Sequence, residues 1–266
     1  MSVLRRRARD RAQGRDHADQ VRALYLDLLK RTLTRIAFED EAVMPGDPQR
    51  ERMALDPSKR VEGLDWPVHA ETMIGLRRLD QLQTAVETVL RENVPGDLIE
   101  TGVWRGGACI FMRGVLAAYL DTQRTVWAAD SFQGLPPPNA DAYPADQGDV
   151  HWRQNELVVS LEEVKANFER YGLLDDRVRF LVGWFRDTLP AAPIDRLAVL
   201  RLDGDMYEST IVALEALYPK VSPGGFVIID DYALAPCQRA VQDFRRARAI
   251  ETPVEWIDWT GAYWRR

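Results

Sequence analysis

Apolar residues recur along this chain at two different periods, and the change of period divides it. Over residues 17–37, Val21, Leu24, Tyr25, Leu28, Leu29, Leu33 and Ile36 recur at three and four positions, which predicts an amphipathic helix. The same spacing returns over residues 72–94 through Met73, Leu76, Leu79, Leu82, Val86 and Leu90, and Pro95-Gly96 ends it. Beyond Gly96 the stripes give way to short apolar-rich stretches at 97–100, 125–129, 178–182, 197–202 and 226–229. Apolar runs such as 197–202 and 226–229 predict strands covered on both faces, as in a parallel sheet. Helical stretches separate them at 108–120, at 160–171 behind a Ser160/Glu163 capping box, and after Asp205. The alternation predicts an α/β fold with a seven-stranded, mostly parallel sheet. A polar-faced helix at 237–250 and a hairpin of 254–257 with 262–264 around Thr260-Gly261 close the chain with an antiparallel edge.

Two passages carry no period. Residues 39–68 hold Pro45, Gly46, Asp47, Pro48, Pro57 and Pro67 and are expected to be loop-rich, contributing a mobile segment near the substrate. The stretch after Asp130 holds Pro136, Pro137, Pro138 and Pro144 with Asp141, Asp146 and Asp149. A loop of this length in a compact domain is a lid, a binding loop or disordered, and a substrate lid is the reading adopted. Ser222-Pro223-Gly224-Gly225 is expected to be a turn before the run at 226–229. The organisation expected is one domain over 1–266, with a basic tail at 1–20, a helical N-terminal extension at 21–95 and an α/β core at 96–266. The helix at 17–37 either covers the active site or packs on a second subunit, and a homo-oligomer is expected.

Composition narrows the function classes. A chain of 266 residues with 46% hydrophobic and 29% charged residues can bury a large core. The net charge of −6 speaks against nucleic acid as a partner. Cys109 and Cys237 are too few and too far apart for a disulfide scaffold or zinc site, so a reducing cytoplasm is expected. No run of about 18 apolar residues is present to span a membrane. Arg5, Arg6 and Arg7 are followed by no apolar segment and do not form a secretory signal.

The candidate chemistry lies at the strand ends. The run 197–202 ends in Asp203-Gly204-Asp205, and the run 226–229 ends in Asp230-Asp231. Ligands of such sheets sit beyond the carboxyl ends of the strands. Carboxylates gathered there repel unless protons or a cation neutralise them, and a hard divalent ion, Mg²⁺, suits oxygen ligands. The first strand opens into Thr101-Gly102-Val103-Trp104-Arg105-Gly106-Gly107, a glycine-rich turn at a helix start and a nucleotide-binding signal. The position where a dinucleotide fingerprint needs its second glycine is Trp104, which disfavours NAD and leaves S-adenosylmethionine as the better fit. Asp130 closes the second strand about twenty residues on, where an acidic side chain can bond ribose hydroxyls. Gly183-Trp184-Phe185 at the third strand end either stacks on an adenine or belongs to the core. His151 is a candidate proton acceptor or an ordinary surface histidine.

GDLIETGVWRGGACIFMRG, ADSFQGLP, RYGLLDDRVRFLVGWFRDTLP, RLDGDMYEST and GGFVIIDDY together resemble the macrocin O-methyltransferase family over residues 25–266. The resemblance implies a class I methyltransferase of Rossmann-like fold. It would transfer methyl from S-adenosylmethionine to a deoxysugar hydroxyl on a larger aglycone in antibiotic biosynthesis, with Mg²⁺. It implies a cofactor site of Glu100, Thr101, Gly102, Asp130, Ser131, Phe132, Gly183 and Trp184. It implies Asp203, Asp230 and Asp231 as metal ligands, Asp205 as general base, and Met73 and Glu156 facing the sugar, with His151 as the further substrate-side candidate. Glu71 stands where the family more often has His. A metal-bound Asp203 is the alternative base. The alternative functions are a Mg²⁺-dependent methyltransferase of catechol-like acceptors, a cofactor-binding scaffold and, last, a dehydrogenase.

Overall fold

The computed structural model describes residues 2–44, 49 and 51–266, with side chains from His17 onward. The N-terminal part comprises helix α1 (Ser2–Leu33), strand β1 (Ala42–Val43), helix α2 (Pro57–Glu62), strand β2 (Trp66–Pro67) and helix α3 (Gly75–Arg91). Then strands and helices alternate: β3 (Asp97–Thr101), α4 (Gly107–Ala118), β4 (Val126–Asp130), α5 (Leu161–Arg170), β5 (Val178–Val182), α6 (Phe185–Thr188), β6 (Leu197–Leu202), α7 (Tyr207–Leu217) and β7 (Val221–Ile229). Helix α8 (Ala235–Ala247) and the hairpin of β8 (Glu255–Trp256) and β9 (Ala262–Arg265) complete the chain.

The main sheet has seven strands in the order β5-β4-β3-β6-β7-β9-β8. The first five in that order pair in parallel. The hairpin then adds β9 antiparallel to β7 and β8 antiparallel to β9, the edge that the sequence predicts. Alternate residues of each strand enter opposite layers. Leu98 and Val199 join the core under α1, α3, α4 and α5, whereas Ile99 and Leu200 join the core under α7 and α8. The chain runs outward from β3 through β4 to β5, then returns to lay β6 on the other side of β3. The strand order therefore reverses between β3 and β6, and a crevice opens beyond their carboxyl ends.

The structure refines the sequence reading at several stretches and corrects it at one. Helix α1 turns Leu26, Leu29 and Leu33 inward but leaves Val21, Leu24 and Leu28 at 51%, 72% and 58% exposure, so most of its apolar stripe is not covered by this chain. The tail arginines Arg5, Arg6 and Arg7 have side chains outside the described residues. Residues 39–68 contain α2, capped by Asp56, and a two-strand ribbon of β1 and β2. Ser222-Pro223-Gly224-Gly225 is not a turn but the opening of β7, where Gly224 takes a φ of +83° and the extra residues bulge against β6. Of the C-terminal tryptophans only Trp264 is core, while Trp256 and Trp259 are about half exposed.

Candidate active site

The crevice is assembled by backbone contacts among three strand ends. Gly102 N–H donates to the Ala129 carbonyl and Asp203 N–H to the Thr101 carbonyl, both at 2.9 Å. Gly102 has a φ of +85°, and a Cβ there would overlap the Asp203 carbonyl oxygen. A side chain at this position must push β6 away from β3 or rebuild the turn. Gly102→Ala is therefore expected to lower the melting temperature by several degrees, which calorimetry would check. The next residues are tied as closely. Asp130 accepts Val103 N–H at 2.8 Å and Phe132 N–H at 2.7 Å, and burial raises its carboxyl pKa. Trp104 occupies the place where a dinucleotide turn has glycine, and its indole N–H donates to the Glu156 carbonyl at 2.7 Å. The indole thereby ties the glycine turn to the long loop that follows Asp130.

Beyond β6 and β7 lies the acidic patch. One carboxylate oxygen from each of Asp203, Asp230 and Asp231 falls within 4.8 Å of the others. Asp205 has a φ of +58° and donates its N–H to Asp231 at 3.1 Å. Two buried guanidinium groups hold the patch from behind. Arg201 pairs with Glu100, with Asp230 and, at 2.8 Å, with Asp203. Arg78 reaches from α3 to Asp230 and to Asp258, the latter at 3.0 Å. Burial, then repulsion from Asp230, raises the Asp203 pKa to about 6; burial, then Asp203, raises that of Asp205 to about 7. Burial, then Asp205, drives Asp231 well above the ordinary carboxylate range. Glu100 is raised to about 7 by burial against the pull of Arg201. Two arginines thus leave six gathered carboxylates under-neutralised, and the converging donors are all oxygens. That donor set fits a hard divalent cation such as Mg²⁺, with Asp203, Asp230 and Asp231 as the residues that could hold it.

The glycine turn and the acidic patch open into one cavity of about 460 Å³, a volume within the range of small-molecule sites. Of the residues expected at the site, Glu100, Gly102, Asp130, Ser131, Trp184, Met73, His151, Asp203, Asp205, Asp230 and Asp231 line it. Thr101, Phe132, Gly183 and Glu156 are not among the lining residues. Thr101 is buried within β3. Phe132 turns into the core against Phe180, with ring centroids 6.3 Å apart. Gly183 donates its N–H to the Asp130 carbonyl at 2.9 Å, and Glu156 offers its backbone to Trp104. His151 stands at the rim with its Nδ1 2.7 Å from Asp149. Burial works against its protonation, but the Asp149 hydrogen bond and the Asp205 charge outweigh burial and raise its pKa.

Sequence reasoning passed over Arg78 and Arg201 and read Trp259 as a packing residue, and all three border or brace this cavity. Arg201 carried a signal: a charge inside a strand buried at all six positions must have partners. Arg78 and Trp259 carried none, because they arrive from a helix and a loop far along the chain.

A family model described as macrocin-O-methyltransferase (TylF) matches residues 22–266. The 8-demethyl-8-(2,3-dimethoxy-alpha-L-rhamnosyl)-tetracenomycin-C 4'-O-methyltransferase of Streptomyces olivaceus is 56% identical over 93% of this chain and 94% of its own length. The mycinamicin III 3''-O-methyltransferase of Micromonospora griseorubida is 52% identical over 91% of this chain and 96% of its own. Among solved structures, that of the O-methyltransferase NovP superposes with a TM-score of 0.86 at 52% identity, covering 92% of this chain and 99% of that one. With a match of this extent over the strand-end turns that build the cavity, the chain belongs to the macrocin-O-methyltransferase family and is an O-methyltransferase of α/β, Rossmann-like fold.

Proposed function

We propose that the protein transfers a methyl group from S-adenosylmethionine to a hydroxyl of a deoxysugar carried by a larger natural product, in antibiotic biosynthesis, and requires Mg²⁺. One observation carries the reading: the turn suited to a nucleoside donor and the carboxylate patch suited to a dication face the same cavity. The names of the relatives support a glycosidic acceptor, since the Streptomyces olivaceus enzyme is named for a rhamnosyl-bearing tetracenomycin.

S-adenosylmethionine supplies an electrophilic methyl group, and Mg²⁺ favours the deprotonated form of a sugar hydroxyl. The rest falls to the chain. Gly102, Asp130, Ser131 and Trp184 bind the donor at the carboxyl ends of β3, β4 and β5. Asp203, Asp230 and Asp231 hold the ion, while Arg78 and Arg201 fix the direction of the Asp230 and Asp203 carboxylates. Asp205 is left to take the acceptor proton, and burial keeps its proton affinity high enough for a base working near neutrality. Met73 and His151 face the sugar. The lid and Trp104 exclude water from the reacting groups.

Labelled S-adenosylmethionine offered with a panel of deoxysugar glycosides and catechols tests the acceptor class; transfer to catechols alone would refute the sugar reading. Chelator treatment is expected to abolish transfer and added Mg²⁺ to restore it. Asp230→Asn is expected to raise the Mg²⁺ concentration for half-maximal rate at least tenfold, because an amide oxygen carries no net charge. Undiminished transfer by the parent in chelator-treated buffer, or a Mg²⁺ requirement unchanged in Asp230→Asn, would refute the metal site. No helix among the described residues is long and apolar enough to cross a membrane. A cytoplasmic setting accords with the two buried, unbridged thiols Cys109 and Cys237. We also infer a homo-oligomer that covers the exposed stripe of α1, and a monomer mass by light scattering would refute it.

A further inference from the structure

Helix α7 starts just after Asp203-Gly204-Asp205, and its own segment gives it no capping side chain: the residue at its N-cap is Met206. The first N–H groups of a helix need outside acceptors. Here they come from the lid. Asp146, which ends the single turn Pro144–Asp146, accepts Tyr207 N–H through Oδ1 at 2.7 Å and Glu208 N–H through Oδ2 at 2.9 Å, across 61 and 62 positions of chain. Its residue exposure is 1%, so both bonds are shielded from water. Tyr143 of the same lid segment packs on Tyr207, with ring centroids 6.1 Å apart.

The turn that this cap secures is a strained one. Asp205 has its φ at +58°, a conformation that persists only when the surroundings over-determine it. From inside the patch, Asp231 holds the Asp205 N–H at 3.1 Å. From outside, the lid holds the two N–H groups that begin the helix directly behind it. The same lid carries His151, held to Asp149 through both its N–H, at 2.9 Å, and its ring.

We propose that Asp146 is a positioning residue: by capping α7 from the lid it makes the seating of the lid and the placement of the Asp205 carboxylate one event. When the lid lifts, Tyr207 and Glu208 lose their acceptors, the first turn of α7 frays, and the Asp205 turn loses its outer support. The consequence for turnover rests on the reading of Asp205 as the base. The cap itself does not.

The test uses the full chain with Asp146→Ala, Asp146→Asn and, as a control, Asp205→Asn. Hydrogen exchange is followed over residues 139–157 and 205–210, and methyl transfer is followed with whichever panel glycoside the parent methylates fastest. In Asp146→Ala, exchange is expected to rise together in both segments by about 3- to 30-fold, the size of a lost helix cap. Its kcat is expected to fall on the order of 10- to 100-fold, with the KM for the donor held within about twofold, as for a misplaced but intact catalytic group. Asp146→Asn keeps one acceptor oxygen and should recover part of both effects. Parent-like exchange and kcat in Asp146→Ala would overturn the inference, as would an equal loss of protection across β3 to β7, which would make Asp146 a stabilising residue only. Parent-like turnover in Asp205→Asn would instead refute the base, leaving the exchange result to decide the cap.

Discussion

Asp205→Asn is expected to lower kcat by about 10²- to 10⁴-fold, the usual contribution of a positioned general base. The amide is nearly isosteric and its backbone N–H can still donate to Asp231, so the turn is retained. Donor affinity should stay within about twofold, because the substitution leaves Gly102, Asp130, Ser131 and Trp184 unchanged. Binding of Mn²⁺ as a spectroscopic substitute should likewise persist, since Asp203, Asp230 and Asp231 form the converging set without it. The pairing of lost turnover with retained binding is what marks a base. A parallel loss of Mn²⁺ binding would move Asp205 into the ligand set.

Arg201→Met should be the most damaging substitution for stability. Arg201 is 1% exposed and answers three carboxylates, one in β3 and one each just past β6 and β7. Removing one partner of a buried ionic network leaves the others uncompensated and costs about 3–5 kcal/mol, readable in denaturant unfolding without divalent ions. The cost should depend on pH. Glu100 already has its pKa raised to about 7 by burial, with Arg201 opposing, and loss of the arginine raises it further. A carboxyl whose folded pKa lies above its unfolded value contributes stability that is lost as pH rises through the folded value. The deficit of the variant is therefore larger at pH 8 than at pH 5, and Glu100→Gln added to Arg201→Met should recover part of it. A deficit independent of pH would mean that packing, and not charge, is what Arg201 supplies.

Much of the fold was legible because the burial that makes the strands also writes itself into local composition. β6 lies where its apolar run places it, since a strand covered on both faces admits few polar residues. The strand-end aspartates were legible for a related reason: a carboxylate straight after such a run lies at the rim of the sheet. Prediction failed where burial depends on a partner distant in sequence. The stripe of α1 has the right period, yet α4 covers only the side carrying Leu26, Leu29 and Leu33. Ser222-Pro223-Gly224-Gly225 has the composition of a turn, but pairing with β6 draws it into the ladder as a bulge.

What the sequence determined alone was the alternation of strands and helices and the placing of Asp203, Asp205, Asp230 and Asp231 just after two strands, because apolar runs and the residues that end them are local features of the chain. Tertiary structure decided how those groups are charged and held. Arg78 from the N-terminal extension, Arg201 pointing out of its own strand, and Asp146 capping a helix from the lid act across separations of up to 152 residues. Electrostatic and hydrogen-bonding partners are chosen by distance in space, and no period or motif along the chain records that distance.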